Sequence, residues 1–108
     1  VADFCWSLLY WADPTDEYSF LASPPTLHPA FPRRDEVAEL YARKSGRNLD
    51  TLTFFSAFGW WKMACIVEGV YTRLQTGSGG GMKTTDLAAV AERTERLLEI
   101  AARWARRL

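Results

Sequence analysis

LTFFSAFGWWKMACIVEGV, residues 52–70, decides the fold class of this chain. The stretch holds no proline and is too long for an ordinary strand. Phe54, Phe55, Phe58, Trp61, Ile66, Val67 and Val70 spread apolar side chains nearly all round a helix. Asp50 or Thr51 stands where an N-cap belongs, and the pattern carries on to about Gln75. A helix apolar on every side is predicted to be central and buried. It is also long enough to span a bilayer. Lys62 near its middle and Glu68 near its end argue against that, since ions at depth in lipid are costly. A helix within a protein core is the better reading.

Outward from this helix, the pattern stays helical. On the N-terminal side, Arg33 to Ser45 has a stripe of Val37, Leu40 and Tyr41. Gly46 stands where a helix C-terminus favours glycine, and Glu39 and Arg43 are spaced as an i,i+4 pair. Before it, all five prolines fall between positions 14 and 32. No sustained helix runs through such a segment, and long loops in compact domains often carry function. At the start, VADFCWSLLYW (residues 1–11) predicts a helix from Ala2 to about Asp13. Phe4, Leu8 and Trp11 share one face, and Pro14 ends it.

On the C-terminal side, the glycine-rich residues 77–83 predict a flexible loop. Thr84 or Thr85 then caps a last helix reaching nearly to Leu108. Its stripe is Leu87, Val90, Ala91, Thr94, Leu97, Leu98, Ala101, Trp104 and Leu108. Glu92, Arg96, Glu99 and Arg103 lie opposite, at spacings that allow ion pairs. The expectation is an all-α subdomain of four helices covering residues 1–108, without a convincing strand or internal repeat.

Lysine plus arginine balance aspartate plus glutamate at 13 each, so net charge is formally zero. That gives no electrostatic case for nucleic acid or an anionic membrane as partner. Residues 1–50 carry 8 acidic and 5 basic groups, and residues 51–108 the reverse. The basic excess in RWARRL suits a helix C-terminus. Hydrophobic residues make up 48%, with 5 Trp, 6 Phe and 4 Tyr. For a chain this small, so much apolar matter predicts a surface that meets another domain or subunit. Phe4, Trp6, Trp11, Trp60 and Trp61 are the candidates for that surface. Cys5 and Cys65 are too far apart in sequence for a metal motif and are expected as buried, reduced thiols.

GSGGGMKT (residues 77–84) imitates a phosphate-binding loop. Gly77, Lys83 and Thr84 fit the G-x-x-x-x-G-K-[ST] pattern, but Met82 occupies the second glycine position and the segment follows a helix rather than a strand. It reads as a helix connection. His28, the only histidine, reads as an exposed loop residue. Glu68 shares a helix face with Trp61 and Tyr71. An acid between two aromatics fits a cationic or polyhydroxylated ligand; ordinary packing around a satisfied carboxylate is the competing reading. No catalytic constellation and no metal-ligand cluster is complete.

Three stretches together resemble the aminoglycoside phosphotransferase-like kinases. VADFCWSLLYW is similar to the small helix, opening like A-D-L-A-W, that follows that family's metal-binding D-W-E motif. FPRRDEVAELYARKSGRNLDTLTFFSAFGWWKMACIVEGVYTRL is similar to its next two helices, with a YAERSG-like end, an F-x-x-x-K helix and an I-x-x-G-I-Y-x-R ending. GSGGGM and the last helix resemble its C-terminus. The nearest subgroup is the kinase-like domain related to acyl-CoA dehydrogenase fusions, and the likeness covers essentially the whole chain.

The resemblance implies a fragment of the C-terminal lobe of a protein-kinase-like fold, forming a wall of the acceptor-substrate cleft in a cytoplasmic small-molecule phosphotransferase. Trp61, Glu68 and Tyr71 would contact a hydroxylated acceptor, and Asp3 would support the catalytic loop. The nucleotide-binding lobe, the H-G-D loop and the D-W-E motif would precede Val1, with ATP and Mg²⁺ bound by that parent enzyme. The alternative is a free-standing helical module that oligomerises. Phosphoryl transfer needs an orienting Asp, a metal-holding Asp and a phosphate cradle, and these residues supply none. The purified chain with Mg²⁺ and ATP is therefore expected to show no turnover above an empty-vector control, measured as phosphate release; turnover above that control would contradict it.

Overall fold

A computed structural model describes residues 1–77 and 87–108. Four α-helices occur among them: α1 (Ala2–Leu8), α2 (Arg34–Ser45), α3 (Leu52–Gln75) and α4 (Leu87–Ala105), with a short 3-10 turn at Pro25–Leu27. The described residues hold no strand, so the chain is all-α there. It divides into two compact units, Val1–Ser56 and Ala57–Leu108, with the boundary inside α3. The Thr84 or Thr85 cap and most of the 77–83 loop lie outside the described residues.

In the first unit, α1 stops five residues short of the expected Asp13. Its end tightens into i→i+3 bonds, Leu9 N–H to Trp6 O and Trp11 N–H to Leu8 O. The next amide leaves the helix altogether. Ala12 N–H donates to Thr26 Oγ1 at 2.9 Å, and that hydroxyl donates back to Ala12 O at 3.0 Å. A partner fourteen residues away thus supplies what another helical turn would have supplied.

The proline-rich segment is a closed loop held at both ends. Asp13 N–H donates to Asp16 Oδ2 at 2.9 Å, and Asp16 N–H to Asp13 O at 3.0 Å. The Asp13 carboxylate accepts the Arg34 N–H at 3.1 Å. Arg34 is the first residue of α2, whose N-cap Arg33 offers no side-chain cap. Asp13 therefore satisfies an orphan donor of α2 from across the loop and places negative charge at the positive end of the helix dipole. The Arg34 guanidinium bridges Asp16 with two hydrogen bonds, at 2.5 and 2.8 Å, and donates to Trp11 O at 3.0 Å. Trp11 Nε1 donates to Pro32 O at 3.0 Å, and the Trp11 and Phe31 rings meet edge to face at 5.9 Å.

Aromatic stacking joins α1 to α2. The Phe4 and Tyr41 rings lie parallel with centroids 4.0 Å apart. Cys5, Leu9, Ala12 and Ala38 are buried in this unit. α2 ends as expected: Gly46 is left-handed at φ +67° and donates to Ala42 O at 2.9 Å. Asp50 takes a different part from the expected cap. Its carboxylate accepts from Asn48 Nδ2 and its N–H donates to Asn48 Oδ1, while Thr51 O receives the Phe55 amide that opens α3.

The second unit comprises α3 from Ala57 onward and α4. Ala57, Trp60, Met63, Ala64, Val67, Leu74, Leu97 and Ala101 are its buried apolar positions among the described residues. Thr94, also buried, gives its hydroxyl to Val90 O one turn back. The α4 stripe matches expectation at Thr94, Leu97 and Ala101, while Leu98 and Leu108 are exposed. Arg96 and Glu99 pair at 3.4 Å, and Arg107 lies 4.4 Å over the Trp104 ring.

Two substitutions check this account. Asp13→Ala removes the cap on α2 and should lower stability by about 1–2 kcal/mol in a denaturant titration. Gly46→Ala meets no neighbour within 4 Å, so only the left-handed backbone resists it, at about 1 kcal/mol.

Candidate functional site

α3 is amphipathic rather than buried on every side. Phe58, Trp61 and Ile66 are 46%, 51% and 46% exposed, while Met63, Ala64 and Val67 on the opposite side are nearly inaccessible. The expectation of a wholly buried central helix is thereby corrected: the aromatic residues are shared between a buried and an exposed face. Lys62 and Glu68 lie on the exposed side, so neither charge needs a buried counter-ion.

Trp61 and Glu68 stand one heptad apart on this face, separated by about 10 Å of helix rise. Both are exposed. Tyr71 is half-buried and turned about 60° further round the helix. The three expected contact residues thus form a shallow ridge, with the Trp61 ring packed at 5.8 Å against Phe58. The Glu68 carbonyl accepts from Thr72 Oγ1 at 3.1 Å. Chemically the ridge offers an aromatic platform and, farther along, an anionic acceptor, which suits hydroxyl or ammonium groups.

Asp3 is exposed in the first turn of α1. His28 is exposed, and its Nδ1 accepts the Ala30 N–H at 3.1 Å. Both cysteines are free thiols, but only Cys5 is buried; Cys65 is exposed on α3, which corrects the expectation of two buried thiols. Of the five aromatics expected on a shared surface, Trp60 is buried and Phe4, Trp6 and Trp11 are half-buried. Each of these last three packs its ring within the first unit, Trp6 edge to face with Tyr10. Trp61 alone of the five is exposed.

Among the described residues, no group of three or more His, Cys, Asp or Glu residues is placed to hold a metal ion, and no helix is long and apolar enough to cross a membrane. The main polar cluster missed from sequence is Asp13, Asp16 and Arg34 with Thr26. Its one local signal was DPTD (residues 13–16), an aspartate-proline turn pattern.

No protein-family model matches the chain, and neither a curated protein nor a solved structure does.

The two thiols should behave differently. Cys65 should react with a water-soluble thiol reagent in the folded protein, and Cys5 only on unfolding. Burial pushes the Cys5 thiol above its ordinary value of 9.0, and the Val1 ammonium offsets a smaller part. The folded chain thus holds this proton more tightly than the unfolded chain. That contribution to stability is fully present below about pH 9 and is lost as pH rises through the raised folded value. A denaturation midpoint that falls as pH rises above about 9, and falls less in Cys5→Ala, is the expected result.

Proposed function

We propose that this chain is the helical, substrate-side part of an aminoglycoside phosphotransferase-like kinase. The observation that carries the reading is the exposed ridge of α3, with the Trp61 platform and the Glu68 carboxylate on one face. The order of elements supports it as well. A short first helix, a helix closing at Gly46 and a long helix carrying the I-V-E-G-V-Y-T-R segment (residues 66–73) occur in the sequence of the resemblance.

In this reading the parent enzyme works in the cytoplasm and binds ATP and Mg²⁺ through residues preceding Val1. The present chain supplies one wall for a hydroxylated acceptor. Glu68 would accept hydrogen bonds from acceptor hydroxyl or ammonium groups, and Trp61 would present an apolar face to the ring carbons beside them. Asp3, exposed at the start of α1, would accept from the backbone of the catalytic loop.

The test begins with the gene. H-G-D and D-W-E motifs are expected in frame ahead of Val1, and an in-frame stop there would overturn the proposal. In the parent enzyme, Glu68→Gln should raise the acceptor KM about tenfold, the loss of one charge-assisted hydrogen bond, and leave the KM for ATP unchanged. A variant that alters both equally would remove Glu68 from the acceptor site.

A second reading is favoured by the apolar part of the same face. Phe54, Phe58 and Trp61 are each close to half exposed, which suits a helical module that buries them by self-association.

A further inference from the structure

Phe54, Phe58, Trp61 and Cys65 follow one another on α3 at spacings of 4, 3 and 4 residues. Such spacing keeps all four on one narrow stripe, and all four are exposed. The pattern reads the same in both directions, so the stripe is complementary to a copy of itself running antiparallel. We infer that α3 pairs antiparallel with α3 of a second copy, about a two-fold axis between Gly59 and Trp60. The inference rests on the second reading above and names its partner.

The register follows from the residue sizes and from Glu68. With the axis at that point, Phe58 faces Trp61 of the second copy and Phe54 faces Cys65 of the second copy, so every apolar position meets an apolar one and the large Phe54 ring meets a small side chain. Glu68, the next position on the stripe, then meets Thr51 of the second copy. Thr51 directly precedes α3, where the positive end of the helix dipole favours a carboxylate. Other arrangements misplace Glu68. Sliding the copies by one heptad toward their C-termini sets it against Phe58. Parallel pairing sets Glu68 against Glu68, a like-charge contact in the seam.

The stripe also bounds the affinity. Each of its aromatics exposes about half of a side chain that buries ~150–250 Å². About 300 Å² per copy would leave water, well under the ~800 Å² per partner of a standard interface. A weak dimer, micromolar or looser, is what such an area supports.

Sedimentation equilibrium of the full chain, from micromolar to millimolar concentration, should show a reversible monomer–dimer equilibrium. Trp61→Glu should abolish it while the helical circular dichroism stays unchanged, since Trp61 is exposed. The register is read with Phe54→Cys under glutathione disulfide, which takes up the two electrons of each new disulfide. The thiol introduced at position 54 should join Cys65 of the second copy, seen by peptide mapping. A monomer at millimolar concentration, a dimer indifferent to Trp61→Glu, or disulfides joining like positions would each overturn the inference. Those outcomes would remove the second reading and leave the phosphotransferase reading to its own test.

Discussion

The first unit depends on the closing of one loop. Between Asp13 and Arg34 the chain leaves α1, makes a long excursion through five prolines and returns to begin α2. Closing a loop of that length costs chain entropy, though the cost grows slowly with length. Prolines reduce it in advance by restricting the unfolded chain. The remainder is met by side chains at the two ends. Asp13 caps α2, Arg34 grips Asp16 and the Trp11 carbonyl, and Thr26 takes both polar groups of Ala12. The ion pair is partly shielded, with the Arg34 side chain 32% exposed and Asp16 18%. Geometry adds to its worth, because a two-pronged guanidinium contact fixes direction as well as distance.

α3 meets a different constraint. Its sequence offers more large apolar side chains than one side of a helix can bury. The buried side takes the compact or flexible ones, Met63, Ala64 and Val67, beside Trp60. The exposed side keeps Phe58, Trp61 and Ile66 together with Lys62 and Glu68. Charged side chains are interspersed among the exposed rings, and each proposed reading uses the stripe that carries Trp61. Trp61 and Glu68 cannot contact an acceptor molecule and a second copy at once, so the two occupants exclude each other.

Much of this architecture is legible in local pattern. α2 declares its end through Gly46, and α4 its buried side through the spacing of Thr94, Leu97 and Ala101. The end of α1 is not legible, because the residue that diverts Ala12 from the helix is Thr26, and a long-range partner leaves no periodic trace. Nor is the orientation of α3. A helix apolar on all sides carries no directional signal, so Trp60 and Trp61, adjacent in sequence and identical in chemistry, cannot be assigned to inside and outside from pattern alone. The same ambiguity hides the difference between Cys5 and Cys65. As for the candidate ridge, the sharing of one face by Trp61 and Glu68 follows from their heptad spacing. Their exposure needed the fold.

The loop clamp makes a direct claim about two backbone amides. Ala12 and Arg34 lie outside the regular hydrogen bonding of any helix, yet each is held by a side chain on the far side of the loop. Amide hydrogen exchange followed residue by residue tests this most directly. The account predicts that the Ala12 and Arg34 amides exchange as slowly as those in the middle of α2 and are released together with them as denaturant is added. Exchange at these two amides as fast as at an exposed loop residue, while α2 stays protected, would contradict it.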